Sequence, residues 1–306
     1  MNLNIIILAA GNGKRMHSSI PKVMHKVGGK TMLEHVLISA EKLNPISINV
    51  VINSRTEHIK SDFSKHKVNW YTQLEQKGTA DAVKTVLPDL KKDDHALILY
   101  ADTPLIDSQL LNKFINYMPQ SHVKVLTADL ENPFGYGRII REQAETEKIL
   151  RIVEESEADA KQKNITECNT GIVFSNIGTL EKLIAEVNNN NSKREYYLTD
   201  IVSVASQKNY VVAPLLAKES NSLLGVNDKS QLEKTEQIYQ NNYRERFLKQ
   251  GITMLDSKSV FFRGNIQIGA DVEIDTNVIL EGDVKIEDNV KTVSYTHLRA
   301  HETPEH

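Results

Sequence analysis

The chain has 306 residues, 40% of them hydrophobic and 25% charged, with a formal net charge of −3. That size suits one large domain plus a smaller piece, and that charge exerts no overall pull on nucleic acid or anionic membranes. Cys168 is the only cysteine, which excludes an internal disulfide and a cysteine metal cluster. It reads as a small buried residue rather than a nucleophile. No apolar stretch approaches a membrane span, so the expected location is the cytoplasm.

The first element is Leu3 to Leu8 (LNIIIL), a near-continuous apolar run that reads as a buried parallel strand. No basic segment precedes it, which argues against a signal peptide. It breaks into Ala9-Ala10-Gly11-Asn12-Gly13-Lys14-Arg15, followed by Pro21-Lys22. Small residues and glycines let backbone N–H groups face an anion, and Arg15 and Lys22 add fixed positive charge. Such a turn suits phosphate. It is neither a P-loop nor the GxGxxG dinucleotide turn, because Met16 stands where the last glycine belongs.

Next, Thr31-Met32-Leu33-Glu34 carries a capping-box pattern, and Leu33, Val36, Leu37, Ala40 and Leu43 give the helix an apolar face. Ile48 to Ile52, Ala96 to Tyr100 and Val123 to Thr127 read as strands, and the alternation predicts an α/β fold around a mostly parallel sheet. Asp102 then stands just past the end of a strand, where open parallel sheets place their ligands. Metal ligation and a turn cap before Pro104 both suit it, and the nearby phosphate turn favours the metal. Asn188 to Asn191 reads as a plain polar loop. A long helix is expected over 228–251, capped by Asp228 with Gln231, faced by Leu232, Tyr239, Tyr243 and Phe247, and ended by Gly251.

Phe262, Ile268, Ile274, Leu280 and Ile286 recur every six residues, as do Ile266, Val272, Val278, Val284 and Val290. Two apolar positions in phase over five hexads read as repeats of a parallel β-helix over 252–291. The period ends at Thr292. Residues 292–306, with His297, His301 and His306, read as a non-native tail rather than a metal cluster.

Taken in order, the segments around Gly11, Gln73-Leu74-Glu75-Gln76-Lys77-Gly78-Thr79-Ala80, Tyr100-Ala101-Asp102-Thr103-Pro104-Leu105, Gly135-Tyr136-Gly137-Arg138-Ile139, Ile152-Val153-Glu154, Asn169-Thr170-Gly171, Glu195 to Asp200 and Gly225-Val226-Asn227 carry a resemblance. They resemble the sugar-1-phosphate nucleotidyltransferases. Within these they are similar to the bacterial bifunctional N-acetylglucosamine-1-phosphate uridyltransferase/glucosamine-1-phosphate N-acetyltransferase family. The likeness runs from residue 1 to about 291. It implies a Rossmann-like nucleotidyltransferase domain over 1–227, a connecting helix and the truncated start of a left-handed β-helix.

The resemblance implies transfer of UMP from UTP to N-acetylglucosamine 1-phosphate, with Mg²⁺ as cofactor held by Asp102 and Asn227. Arg15 would meet the leaving pyrophosphate and Lys22 the phosphates at the reacting centre. Leu8, Ala9, Ala10, Gly11, Gln73, Gly78 and Thr79 would hold the uracil nucleotide, and Tyr100 and Ala101 would line the site beside Asp102. Gly137, Glu154 and Asn169 would meet the sugar. No nucleic acid or membrane partner is implied. The full-length family is a homotrimer whose β-helix transfers acetyl groups; with so few hexads, the expectation here is a weakened trimer and no acetyl transfer.

Two positions depart from the family's pattern. Ala101 replaces a usual glycine, which matters only if φ is positive there. Glu155-Ser156-Glu157-Ala158-Asp159-Ala160 replaces a lysine-aspartate-alanine run after Glu154. The competing readings are a nucleotidyltransferase for another sugar or base, and a non-catalytic nucleotide-sugar-binding protein. A hydride-transfer enzyme is disfavoured by the missing glycine.

Overall fold

Leu3–Leu8 forms β1, and all six of its side chains are buried, as a strand covered on both faces requires. The computed structural model describes residues 1–142, 148–218 and 221–299. After β1 come the short hairpin β2 (Lys26–Val27) and β3 (Lys30–Thr31), then α1 (Met32–Glu41), β4 (Ser47–Asn53), β5 (Asn69–Gln73) and α2 (Thr79–Lys84). The chain continues through β6 (His95–Tyr100), α3 (Ser108–Asn116), β7 (Val123–Asp129), β8 (Arg138–Arg141), β9 (Ile149–Val153) and β10 (Glu167–Asn176). It closes the sheet with α4 (Ile177–Ile184), α5 (Asp200–Gln207) and β11 (Val212–Ala217).

These strands form one sheet in the order β11-β7-β10-β6-β1-β4-β5, with β8 and β9 attached at β10. Pairings of β1 with β4 and β6, β4 with β5, and β11 with β7 are parallel; β10 runs antiparallel to both neighbours. The mostly parallel α/β expectation therefore holds. The parallel strands end together at Leu8, Asn53, Gln73 and Tyr100, so everything placed just past them shares one edge. Leu33, Val36, Leu37 and Ala40 are fully buried along α1, on the face read from their spacing, while Leu43 lies past the helix end and is half-buried.

Compactness divides the chain into two units. The first holds Met1–Lys14, Pro21–Val23 and Leu33–Gly225; the second holds Arg15–Ile20, Met24–Met32 and the chain from Val226. Segments that precede residue 227 in sequence thus group with the C-terminal part.

In the second unit, α6 (Lys229–Lys249) starts as its sequence suggested: Asp228 Oδ1 accepts from Gln231 N–H at 2.8 Å. Gly251, at φ +90°, follows its C-cap. Tyr239, Tyr243 and Phe247 form a tilted ring ladder along the helix, and Phe262 packs on Tyr243 and Phe247 with centroids 5.7 and 5.1 Å away. The buried Gln240 amide replaces a strand, donating to Phe262 O and accepting from Phe262 N, both at 2.8 Å. The hairpin closes on the same helix. Gly28 donates to Glu236, and at φ +53° it leaves no room for a Cβ beneath the Tyr239 ring.

The rest of this unit is β12 (Thr253–Met254), β13 (Phe261–Ile268), β14 (Glu273–Ile274), β15 (Ile279–Ile286) and β16 (His297–Arg299). β13, β15 and β16 stack in parallel at an 18-residue offset, Phe262 opposite Leu280 and Leu280 opposite Leu298. Most of both six-residue apolar series points inward: Phe262, Ile266, Val272, Ile274, Val278, Leu280, Val284 and Ile286 lie in its core and Ile268 packs against it, whereas Val290 is exposed. Each such burial is worth about 1.5–3 kcal/mol.

One expectation is corrected. The register does not stop at Thr292, whose N–H donates to Glu273 O and whose hydroxyl accepts from Asp275 N. A threonine can hold a ladder position through its own hydrogen bonds, and Leu298 restores the apolar contact. Residues 300–306, with His301 and His306, lie outside the described residues, as does the His297 side chain.

Candidate active site

A cleft of about 490 Å³ opens at the edge where the parallel strands end. Leu8, Ala9, Ala10, Gly11, Lys22, Gln73, Gly78, Thr79, Tyr100 and Asp102 all line it. The loop after β1 is held by its backbone: Ala9 N–H donates to Val51 O, and Ala10 O accepts from Asn53 and Gln76 side-chain amides. Gly13 sits at φ +59° against Lys22, where a Cβ would come within 2.6 Å of the lysine Cβ. The glycine thus lets Lys22 close over the turn.

Lys22 forms an ion pair with Asp102 Oδ2, their side chains 11% and 21% exposed. A cation and an anion therefore stand together on the cleft wall beside the glycine turn. The hydroxyl of Thr103 donates to Tyr100 O at 2.8 Å. Ala101 is fully buried, donates its N–H to Leu8 O at 3.0 Å, and is not on the cleft wall. Its φ is not positive, so the alanine carries no strain.

Gln73 is buried, and its amide nitrogen already donates to Gly78 O at 3.0 Å and Asp81 Oδ2 at 2.7 Å. These two bonds engage the nitrogen end of the amide and not its carbonyl oxygen. Gly78, at φ +120°, is pressed onto the backbone of Tyr196, which is bonded on both sides to Lys77 O and Ala80 N–H.

Gly137, Asn169 and Glu154 come together beside this cleft rather than on its wall. A Cβ on Gly137 would lie 3.7 Å from both Asn169 Cβ and Glu154 Cδ. Asn169 sits at a register shift in β10, and its Oδ1 accepts from Gly171 N at 3.0 Å; a bulge of this kind re-aims a side chain. Tyr100 links the two groups. It lines the cleft, its hydroxyl bonds Thr79, and burial followed by the Glu154 charge pushes its phenol upward.

Burial also raises the Glu154 carboxyl, against the Thr199 hydroxyl, which donates at 2.9 Å, and the Lys193 charge. Asp200 rises from 3.8 to about 6, through burial first and then the Glu154 charge. The folded pKa lies above the unfolded one, so the folded state holds the extra proton between about 4 and 6 and loses stability as pH rises through that window. Asp200→Asn should therefore melt higher than wild type at pH 8, the gap closing toward pH 4. Thermal melts of both proteins across that range test it; a gap independent of pH would refute it.

Sequence position alone did not disclose Lys14, Gln76, Lys193 and Glu195, which also line the cleft. Nor did the polar loop read as structural, yet the Asn191 amide clasps Glu195 through both its N–H and its carbonyl. In the departing segment, Glu155 pairs with buried Arg138 at 2.7 Å and accepts from Gly135 N–H. Cys168 is buried, and burial pushes its thiol up to about 11, which leaves it inert near neutrality. Arg15 is exposed and Asn227 donates its N–H to Gln231 Oε1 at 2.7 Å; both belong to the second unit. No described helix is long and apolar enough to cross a membrane.

The fold is similar to that of a provisionally named glucose-1-phosphate thymidylyltransferase from Bacillus anthracis, crystallised in complex with a sucrose. The TM-score is 0.60 at 18% identity, covering 77% of this chain and 94% of that one. Residues 5–169 match the model of the MobA-like NTP transferase domain. That stretch spans more than half of the chain and contains the cleft's loop, its Lys22–Asp102 pair and the Gly137, Glu154 and Asn169 group, and the chain belongs to the MobA-like NTP transferase family.

Proposed function

We propose that this nucleotidyltransferase moves UMP from UTP to N-acetylglucosamine 1-phosphate, releasing pyrophosphate. The observation that carries it is the Lys22–Asp102 pair on the wall of a nucleotide-sized cleft, to which Tyr100 joins the Gly137, Glu154 and Asn169 group. The ordered motifs that resemble the uridyltransferases support the choice of base and sugar.

Mg²⁺ fits the donors present. Asp102 uses Oδ2 for Lys22, and Oδ1 is a hard oxygen donor that Mg²⁺ could take. Mg²⁺ takes one or two protein oxygens with phosphate oxygens and water. When bound, it would neutralise charge on the triphosphate. Asp102 would hold it, and Asn227 is the second ligand that the resemblance implies.

The sugar phosphate's second pKa is near ~6, so it is mostly dianionic at neutral pH and needs no general base. Its oxygen attacks the α-phosphorus in line while the bond to pyrophosphate breaks. Lys22 supplies positive charge to the phosphates, Glu154 accepts from a sugar hydroxyl, and the Thr199 hydroxyl keeps that carboxylate in place. We propose also that the parallel stack of 18-residue turns from residue 252 is the start of a left-handed β-helix.

Pyrophosphate release, measured with Mg²⁺ against a panel of nucleoside triphosphates and sugar 1-phosphates, tests the assignment. UTP with N-acetylglucosamine 1-phosphate should turn over fastest; equal or better use of dTTP or glucose 1-phosphate would overturn it. Asn227→Ala should shift the Mg²⁺ titration to higher concentration. An unchanged titration would confine Asn227 to the start of α6.

A further inference from the structure

Gly137 and Glu154 each stand one residue beyond a strand. The last paired residues of β8 and β9 are Arg138 and Val153, so Gly137 and Glu154 face one another just past the end of that ladder. Gly137 is also tied to β10, where Asn169 N–H donates to its carbonyl at 2.8 Å. The Thr199 hydroxyl holds the Glu154 carboxylate. The backbone that carries Glu154 depends on what fastens the chain after Val153.

The next residue on each side supplies that hold. Arg138 follows Gly137, Glu155 follows Glu154, and Arg138 Nη2 pairs with Glu155 Oε2 at 2.7 Å. The arginine side chain is 2% exposed and the glutamate 22%, so the pair is largely screened from water. Arg138 also donates to Tyr136 O, and the same Glu155 oxygen accepts from Gly135 N–H at 3.1 Å. Two residues of the Gly135–Gly137 turn are thereby bonded to the pair itself. A guanidinium suits this place because its planar fork meets a carboxylate and a carbonyl at once. Burial works against the charge on Glu155, but the Gly135 N–H and then Arg138 outweigh it and hold the carboxyl below its usual range. Glu155 opens the segment that departs from the uridyltransferase pattern, so this hold comes from residues particular to this chain.

We infer that the Arg138–Glu155 pair positions the sugar acceptor, by setting the Gly137 backbone against the Glu154 carboxylate across the place where the sugar is held. The inference rests on the reading of Gly137, Glu154 and Asn169 as the sugar group. The pair acts through its neighbours, and those neighbours grip the sugar alike before and during transfer. Its loss therefore weakens binding in ground and transition states together, which appears in KM rather than kcat.

Glu155→Gln keeps the size of the side chain and removes its charge. With saturating UTP and Mg²⁺, the KM for N-acetylglucosamine 1-phosphate should rise about tenfold or more, while kcat and the KM for UTP stay within about twofold. A pair that only stabilised the fold would behave differently: partial unfolding removes active enzyme, lowering kcat and leaving both KM values in place. Glu154→Gln is measured in parallel, because it tests the sugar reading on its own. A raised acceptor KM in Glu154→Gln with an unchanged one in Glu155→Gln overturns the positioning inference and leaves the sugar group standing. An unchanged acceptor KM in both variants overturns the sugar reading and the inference with it. Should Glu155→Gln fail to fold, Glu155→Asp takes its place, since it keeps the charge but is too short to meet Arg138 and Gly135 together. The same rise in acceptor KM supports the inference, and an unchanged value refutes it.

Discussion

Asp102→Ala should lower kcat by about 10²-fold or more while changing nucleoside triphosphate affinity far less. The carboxylate stands at the carboxyl edge of β6, paired with Lys22 on the wall of the cleft, and in the proposed reaction charge builds there as pyrophosphate departs. Interactions that strengthen in the transition state appear in kcat rather than in ground-state binding. Asp102→Asn keeps the shape and removes the charge, so it should fall nearly as far. Steady-state kinetics at saturating Mg²⁺, with nucleotide affinity measured separately, distinguish this from a structural role. Near wild-type kcat in either variant would show that the Lys22–Asp102 pair only holds the cleft together.

Gly78→Ala damages the fold itself. Its φ of +120° suits only glycine, and an added Cβ would stand 2.4 Å from Tyr196 O and 2.6 Å from Tyr196 N. That backbone cannot give way easily, because Tyr196 N–H donates to Lys77 O at 2.7 Å and Tyr196 O accepts from Ala80 N–H at 2.9 Å. Strain of this kind costs about 1–3 kcal/mol, a fall of about 2–12 °C in Tm for a domain of this size. Gly11→Ala is the contrast. No atom lies within 4 Å of its added Cβ and its φ is ordinary, so Tm should hold. Because Gly11 lines the cleft, nucleotide affinity is the quantity that should drop. Equal melting temperatures for Gly78→Ala and wild type would contradict the strained turn.

Much of this was legible in the residues because it is local. A run such as Leu3–Leu8 can only be buried on both faces, and two apolar residues per hexad can only face inward together. Asp228 with Gln231 caps α6 by a contact spanning three residues. The turn after β1 was legible for the same reason, since its small residues and glycines stand next to one another in the chain.

Other features depend on partners far apart in the chain, which spacing cannot reveal. Lys22 meets Asp102 across 80 positions, and the Glu154–Thr199 bond spans 45. Gln73 looked like an amide with both halves available, but folding brings Gly78 O and Asp81 to its nitrogen. The threonine that seemed to end the repeat keeps its place because Glu273 and Asp275 lie one turn away. Lys124 is the plainest case: its sequence context is an ordinary buried strand, and only the tertiary structure sets its ammonium against a ring and a carbonyl, with no carboxylate bonded to it among the described residues. Short-range sterics and periodic burial are written in consecutive residues, whereas the pairing and isolation of charges are decided by which strands the fold sets side by side.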